Sequence, residues 1–327
     1  MKVLITGWAG FIGSNLTRMI LSDTDWDIYG MDSHTYAARP LWVYTVVQSN
    51  QKLKDRFFAL PNDIRTFPLE GLVFDVVIHL AAESHVCRSI EGPEKFIDTN
   101  ILGTFNLLEG LRRSKSKAIF HHVSTDEVYG VAQEGSKFKE STPYDPRSPY
   151  SASKAASDHL VSAYHHTYGL NTRITNCSNN FGANQHSEKL IPKTIKRILK
   201  GEPVTLYGPG NQVRDWIWVD DHCRGILAAI ANGSPGGTYL LGGECERTNL
   251  EVVQDCWIAC QEVAEEQKIK LPTDLVIEHT NDRPTDDQRY AIDCSHAKKM
   301  LNWKPLHELY FERLKETVRW YLKHEPT

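Results

Sequence analysis

Long runs of one residue class are missing from this sequence of 327 residues. No apolar stretch is long enough to span a bilayer, and the first residues lack the ordered basic, apolar and small segments of a signal peptide. The formal net charge is −4, and no long run of one sign occurs. These absences argue against a membrane protein and against nucleic-acid binding through bulk charge, so we expect a cytoplasmic protein.

Cysteine pairs with the spacing of a redox or zinc motif are also missing. The seven cysteines are scattered, and none forms a Cys-x-x-Cys pair. Cys256 and Cys260 would share one face of a helix, but that spacing alone is weak evidence for a metal. We expect free, mostly buried thiols and no metal site.

The first half of the chain alternates short apolar runs with helical patterns. Residues 75–82 are almost unbrokenly apolar, as in a parallel strand buried on both faces. Hydrophobic residues make up 41% of the chain, enough for a large core and two subdomains. The pattern predicts an α/β fold with a Rossmann-type, doubly wound parallel sheet.

A glycine turn follows the first predicted strand and opens a helical pattern. Gly7, Gly10 and Gly13 are spaced as G-x-x-G-x-x-G, which allows close backbone approach to a pyrophosphate at a helix N-terminus. Asp32, at the end of the second predicted strand, is placed to bind the adenosine ribose and to repel a 2′-phosphate. The turn therefore predicts a dinucleotide site that prefers NAD, with Arg39 leaving NADP as an alternative.

Two further motifs carry reactive side chains. Thr125, Asp126 and Glu127 end a predicted central strand, where ligands bind in open α/β sheets. Both acids can reach one pocket only if the chain turns there. Tyr150 and Lys154 lie four residues apart on one face of a helix predicted to begin near residue 151, and the lysine is expected to lower the phenol pKa. The order of these motifs predicts hydride chemistry coupled to acid–base chemistry.

These segments resemble the extended short-chain dehydrogenases/reductases, and among them the NAD-dependent dTDP-glucose 4,6-dehydratases. The resemblance covers nearly the whole chain and rests on residues 6–15, 32–37, 79–86, 124–130, 150–161, 176–181, 188–192, 214–216, 282–284 and 289–293. It implies an NAD-binding domain over residues 1–180, with segments near 215–242 returning to it. Residues 181–327 would mainly form a smaller mixed α/β domain that binds the nucleotide sugar.

The resemblance also implies a role for each catalytic residue. Tyr150 would remove the sugar 4-hydroxyl proton while hydride leaves C4, with Lys154 tuning the phenol and Thr125 bonding the 4-oxygen. Glu127 would remove the C5 proton, and Asp126 would protonate the departing 6-hydroxyl. Asp126 must then be neutral and Glu127 ionised, a difference that burial and mutual repulsion can create.

Binding residues follow from the same motifs. The residues implied for NAD are Gly7, Gly10, Phe11, Ile12, Gly13, Asp32, Asp63, Ile64, Leu80, Ala81, Ala82, Ser84, Thr99, Tyr150, Lys154 and Asn180. The residues implied for the nucleotide sugar are Ser84, Thr125, Asn179, Lys189, Leu190, Thr205, Tyr207, Arg214, Asn249 and Arg283. For Arg214 the alternative is an ion pair with Asp215. Asn249 is expected to cap a helix beginning near residue 250.

Four positions depart from the family pattern. Cys87 replaces an aspartate, Thr285 and Asp286 replace Gly-His, residues 183–187 replace Pro-Tyr-x-x-Pro, and Trp8 is bulky in a turn position that is usually small. Because of these departures, the sequence leaves open whether the chain prefers dTDP-sugars or UDP-sugars. The alternatives are a UDP-glucose 4,6-dehydratase, another nucleotide-sugar epimerase or dehydratase, and a non-catalytic NAD or nucleotide-sugar sensor. By resemblance, helices around residues 93–113 and 150–168 would pair in a homodimer.

Overall fold

A computed structural model describes residues 1–281 and 287–325. Its strands are β1 (Lys2–Thr6), β2 (Asp27–Met31), β3 (Phe57–Leu60), β4 (Val76–His79), β5 (Ile119–Thr125), β6 (Thr172–Cys177), β7 (Asn179–Phe181), β8 (Val204–Tyr207), β9 (Val213–Trp218), β10 (Gly237–Leu241), β11 (Glu246–Thr248) and β12 (Ile277–Thr280).

The helices connect these strands. They are α1 (Phe11–Asp23), α2 (Leu41–Gln48), α3 (Gln51–Lys54), α4 (Val86–Glu91), α5 (Glu94–Phe96), α6 (Gly103–Arg113), α7 (Pro149–Tyr168), α8 (Leu190–Lys200), α9 (Val219–Asn232), α10 (Asn249–Gln267), α11 (Ser295–Leu301) and α12 (Tyr310–His324). A π-helical turn spans Ile97–Leu102, and 3-10 turns span Asp126–Tyr129 and His307–Leu309.

Seven strands form one parallel sheet in the order β10-β6-β5-β4-β1-β2-β3. All four residues of β4 are buried, as their unbroken apolar run predicts. One face of the sheet packs on α1 and α9, with Leu16, Ile20 and Ile226 in the shared core. The other face packs on α6 and α7 through Leu107 and Val161. The predicted doubly wound Rossmann fold is confirmed.

The second half of the chain adds smaller sheets. Strands β7, β9 and β11 form one, and β8 pairs with β12 in another. Helices α8, α10 and α12 cover a separate core that includes Ile195, Val252 and Leu314. Helix α9 and strand β10 return to the large sheet. The domain boundary at residue 180 stays a prediction, and it falls within β7.

The described residues also answer the questions of cysteine pairing and membrane spans. All seven cysteines are free, and six of them are buried. Neither of the described ranges contains a group of three or more His, Cys, Asp or Glu side chains arranged to hold a metal. No helix within them is long and apolar enough to cross a membrane.

Candidate active site

One cleft of about 800 Å³ opens at the carboxyl ends of the large sheet. It is lined by every candidate residue that the structure describes. These are Gly7, Gly10, Phe11, Ile12, Gly13, Asp32, Asp63, Ile64, Leu80, Ala81, Ala82, Ser84, Thr99, Thr125, Asp126, Glu127, Tyr150, Lys154, Asn179, Asn180, Lys189, Leu190, Thr205, Tyr207, Arg214 and Asn249. Arg283 lies outside the described residues. The cleft brings the candidates together, and their individual roles stay predictions.

The glycine turn between β1 and α1 has the geometry that a dinucleotide needs. Gly7 has φ +74°, and a Cβ there would lie 2.7 Å from the backbone nitrogen of Ala81. A Cβ on Gly13 would lie 2.1 Å from the Gly7 carbonyl oxygen, so the helix packs on the turn only without a side chain at that position. Helix α1 begins directly after Gly10, which leaves its first amides at the cleft. The turn fits a pyrophosphate.

Trp8 occupies the turn without narrowing the cleft. Its indole is fully buried and packs edge-on against Tyr44 and Phe57, with ring centroids 5.4 and 4.9 Å away. Gly30 of β2 makes the room, since a Cβ there would lie 2.7 Å from Trp8 Cγ. The bulky residue therefore anchors the turn from the sheet side.

Asp32 lies where the adenosine ribose is expected. Its carboxylate accepts hydrogen bonds from the backbone amides of Ala9 and His34 at 3.1 and 2.8 Å. Burial raises the pKa of Asp32, and those two bonds oppose the shift. Arg39, the residue that left NADP open, instead pairs with Glu325. The local charge thus favours NAD over NADP.

The chain turns at the two acids, as their shared pocket requires. Strand β5 ends at Thr125, and the 3-10 turn begins at the next residue. Thr125 Oγ1 accepts a hydrogen bond from the Glu127 amide at 3.3 Å, which caps that turn. Gly130 closes it with φ +76°, where a Cβ would lie 2.5 Å from the Asp145 carbonyl oxygen. Asp126 and Glu127 consequently line the same cleft.

Asp126 has the environment of a carboxylic acid that keeps its proton. Burial and then the Glu127 carboxylate raise its pKa well above the ordinary value, while Arg214 opposes the shift. Its Oδ2 is buried and finds no hydrogen-bond partner among residues 1–281 and 287–325. A neutral carboxyl group can act as a general acid, and an ionised one beside it can act as a general base.

Tyr150 and Lys154 lie on α7, which begins at Pro149, slightly earlier than predicted. Lys154 Nζ donates to the Val123 carbonyl at 2.9 Å, and burial lowers its pKa to about 8. The expected lowering of the Tyr150 pKa is wrong for this structure. Burial and the Glu127 carboxylate raise that pKa well above its ordinary value, because desolvation of the phenolate outweighs a hydrogen bond from Thr125.

The substrate-side candidates come from separate segments. Lys189 precedes α8, which begins at Leu190 as expected, and its Nζ donates to the Ser84 carbonyl at 3.0 Å. Asn180 Oδ1 lies 2.9 Å from His222 Nδ1, whereas Asn179 lines the cleft one residue earlier. The contact of Lys189 joins the loop after β4 to the second half of the chain.

Arg214 faces the cleft from β9, with its guanidinium 4.3 Å from the centre of the Tyr290 ring. The alternative, an ion pair with Asp215, is not formed within the described residues. Asp215 instead accepts hydrogen bonds from the amides of Gly243 and Cys245 at 2.9 and 2.7 Å. Successive strand residues point to opposite faces, which separates the two side chains. Arg214 thus lines the cleft, on the side of β9 away from Asp215.

The prediction that Asn249 caps the following helix is wrong. Thr248 is the N-cap, and its side chain and that of Glu251 form a reciprocal capping box. Asn249 is the first helical residue, and its side-chain nitrogen Nδ2 donates a hydrogen bond to Gln212 Oε1 at 3.3 Å. It lines the cleft, so its predicted contact with the nucleotide stays a prediction.

A polar cluster at the cleft was not predicted from the sequence. The Arg88 guanidinium lies 3.6 Å from the centre of the Tyr36 ring and 3.5 Å from the Glu188 carboxylate, and His186 Nδ1 lies 3.7 Å from the same carboxylate. All four residues line the cleft, whereas Cys87 does not. They come from three distant segments, and no spacing in the sequence relates them.

Comparisons with known proteins agree with this geometry. Residues 4–316 match the family described as GDP-mannose 4,6 dehydratase. The chain is similar to a dTDP-glucose 4,6-dehydratase of Haemophilus influenzae, with 43% identity and 98% of both proteins covered. It is 45% identical to one of Xanthomonas campestris, covering 98% of this chain and 93% of that protein.

Solved structures give the same picture. A dTDP-glucose 4,6-dehydratase of Streptomyces venezuelae, with NAD bound, superposes with a TM-score of 0.87 at 38% identity, covering 99% of this chain and 98% of that one. A UDP-glucuronic acid 4-epimerase of Bacillus cereus, in complex with UDP-glucuronic acid and NAD, also gives 0.87, at 27% identity and with 99% of each chain covered.

Proposed function

The chain belongs to the GDP-mannose 4,6 dehydratase family, and from its similarity to the dTDP-glucose 4,6-dehydratases we propose that it converts dTDP-glucose to dTDP-4-keto-6-deoxyglucose and water. It is an NAD-dependent nucleotide-sugar 4,6-dehydratase, a hydro-lyase. The observation that carries the substrate chemistry is the buried Asp126, whose pKa is raised, beside Glu127 in the cleft that also contains Tyr150. An epimerase needs the tyrosine but no such pair of acids.

NAD supplies the hydride acceptor at C4 and the hydride donor at C6. The glycine turn and the N-terminus of α1 hold its pyrophosphate, and Asp32 holds its adenosine ribose. Lys154, whose Nζ is held by the Val123 carbonyl at 2.9 Å, binds the nicotinamide ribose. Because the cofactor ends the cycle in its starting state, it can stay bound between turnovers.

The protein's own side chains move the protons. Tyr150 must first lose its own proton, which the Lys154 ammonium favours against the burial that raises the phenol pKa. The tyrosinate then takes the proton of the 4-hydroxyl, and Thr125 bonds the 4-oxygen. The 4-ketone makes the C5 proton acidic, so the Glu127 carboxylate can remove it. Asp126 then gives its proton to the 6-hydroxyl, which leaves as water. Glu127 returns a proton to C5 as C6 receives the hydride, which restores the Glu127 carboxylate. At the end Tyr150 holds one proton more, and Asp126 one fewer, than at the start. Both line the open cleft, so one proton must pass between them, directly or through cleft water, before the next turnover.

Turnover of dTDP-glucose in D₂O, followed by NMR of the sugar, tests the proposal. We expect a 4-keto-6-deoxy product with solvent deuterium at C5. Turnover of UDP-glucose alone would move the assignment to a UDP-sugar dehydratase. Inversion at C4 without loss of water would identify an epimerase, and tight binding without reaction would identify a sensor.

The Glu127→Gln variant assigns the base in the same experiment. The amide keeps the shape of the side chain but cannot accept the C5 proton. We expect no deuterium at C5, while C4 oxidation still produces enzyme-bound NADH that absorbs near 340 nm. Normal turnover by this variant would remove Glu127 from the mechanism.

We also propose that the chain works as a homodimer in the cytoplasm. Support for the dimer comes from apolar side chains exposed along the π-helical turn and α6, with Leu102 51% and Phe105 44% exposed. Tyr168, at the end of α7, is 52% exposed. Free thiols suit a reducing compartment.

A further inference from the structure

A buried carboxylate behind Lys154 has no part in the proposed mechanism. Asp158 lies one turn further along α7 and is 2% exposed. Its Oδ2 accepts hydrogen bonds from Ser124 Oγ at 2.8 Å, Tyr144 OH at 2.9 Å and Asn176 Nδ2 at 3.1 Å. Three donors on one oxygen favour the ionised form, against the burial that raises the pKa of this group.

The imidazole of His122, on β5, lies between the two charged groups. Its Nε2 is 3.2 Å from Asp158 Oδ1 and 3.4 Å from Lys154 Nζ. Its Nδ1 finds no partner among the described residues, so the Nε2 edge makes the polar contacts of the ring. Burial and the lysine charge hold the pKa of His122 well below 6.5. The ring is therefore neutral, and the three groups together carry no net charge.

We propose that Asp158, whose carboxylate lies across the His122 ring from Lys154, is a positioning residue whose charge keeps Lys154 protonated at the active site. A buried ammonium without a nearby negative charge releases its proton. Burial already lowers the pKa of Lys154 to about 8, and Asp158 is the foremost charge that opposes this shift. Without the carboxylate, the lysine would be neutral near neutral pH and could no longer favour a tyrosinate at Tyr150.

The other titratable groups that face this pair are neutral. Burial raises the pKa of the Cys177 thiol, on β6, to about 12, and burial holds the pKa of the His79 ring, on β4, well below 6.5. The phenols of Tyr129 and Tyr144, which face the carboxylate, have pKa values raised by burial, as has Tyr150. The lysine and the aspartate are thus the charged members of the cluster.

The Asp158→Asn variant tests this inference, whose kinetic readout rests on the proposed function. Loss of the negative charge destabilises the protonated lysine, so the alkaline limb of kcat should move about one to two units to lower pH. The KM for dTDP-glucose should change little. Reductive methylation of Lys154, followed by mass spectrometry against pH, should shift equally, since the lysine lines the cleft. Labelling needs no turnover, so it separates a failure of this inference from a failure of the proposed reaction.

Asp221→Asn is the matched control. Asp221 is also 2% exposed and accepts a hydrogen bond from the Leu306 amide at 2.8 Å, far along the chain on α9. Its loss should lower stability but leave both pH curves in place. A folded Asp158→Asn protein with wild-type curves would overturn the inference, and Asp158→Glu, which restores the charge, should restore the curves.

The unmodified protein provides a second test, whether or not Asp158→Asn folds. Methylation of Lys154 in the native chain should follow a pKa near 8. A value at or below neutral pH would mean that the carboxylate does not keep the lysine protonated, and the inference would fall.

Discussion

Asp126 has to act as an acid at a pH where free aspartate is ionised, and its surroundings rather than its identity make that so. The sequence located this residue, its partner acid and the tyrosine–lysine pair, because each follows a recognisable strand or helix boundary. It did not predict whether the pKa of Tyr150 is raised or lowered, since the desolvation of a phenol depends on packing from distant segments. Asn249 shows the same limit, because N-cap propensity alone ranks Asn above its neighbour Thr248, which is the N-cap in the structure.

Asp126→Asn should stabilise the fold by an amount that grows with pH. The folded chain keeps a proton that the unfolded chain releases above about pH 4. This group's contribution is therefore fully present below that pH, and about 1.4 kcal/mol is lost per pH unit until the folded-state pKa is reached. Urea unfolding should show that the unfolding free energy of the variant exceeds that of the wild type by more at pH 8 than at pH 5. A constant difference would mean that Asp126 is ionised in the fold. Asp293→Asn is the control, because hydrogen bonds from Ser295 lower the pKa of Asp293. That carboxyl is ionised in both the folded and the unfolded chain between pH 5 and pH 8, so the effect of this variant should not change with pH over that range.

At the level of elements, the strands and long helices that frame the cleft were predictable, but the π-helical turn Ile97–Leu102 was not. Asn100 in that turn is buried and exchanges hydrogen bonds with the backbone of Glu83 at 2.8 and 3.0 Å. Its amide also donates to Ser153 Oγ at 2.8 Å. Because these partners are remote in sequence, no local pattern predicts the extra residue that makes this turn π-helical. The same turn places Thr99 at the cleft.

Gly13→Ala should disrupt the packing of α1 on the glycine turn. A Cβ there meets the Gly7 carbonyl oxygen at 2.1 Å, which only a backbone shift can relieve. We expect a loss of about 3 kcal/mol or more in unfolding free energy and no NAD retained on purification. Gly10→Ala is the matched control for the unfolding measurement, since its Cβ would lie 3.3 Å from the same oxygen and needs only a small adjustment. Equal behaviour of the two variants would contradict this account of the turn.

For the whole molecule, the sequence predicted the layers and the position of the cleft, because the carboxyl ends of parallel strands meet at one edge. It did not predict the polar cluster of Arg88, Tyr36, His186 and Glu188. Such contacts depend on how the two halves of the chain lie against each other, which no periodicity encodes. The apolar side chains on α6 were expected at a dimer axis only through the family resemblance.

Leu102→Glu should produce monomers if that face joins two copies. A carboxylate buried in an apolar interface has neither water nor an opposite charge beside it. It therefore destabilises the dimer far more than a carboxylate on a free surface destabilises a monomer. Sedimentation velocity at micromolar concentration should show the shift in mass. Leu41→Glu is the control, because Leu41 is 79% exposed and begins α2, which packs with α1 on the opposite face of the sheet from α6, so it should leave the mass unchanged. A dimeric Leu102→Glu protein would place the interface elsewhere.

The position of β10 at the end of the large sheet has a consequence for biosynthesis. Its neighbour β6 is buried along its whole length in the finished protein, yet β10 leaves the ribosome roughly 60 residues later, or about 3 to 12 s at usual translation rates. During that interval β6 is an open edge strand, the kind of surface that pairs with other nascent chains. Slow codons between the two strands lengthen the exposure, so the yield of folded enzyme depends on the speed of translation there as well as on the stability of the product.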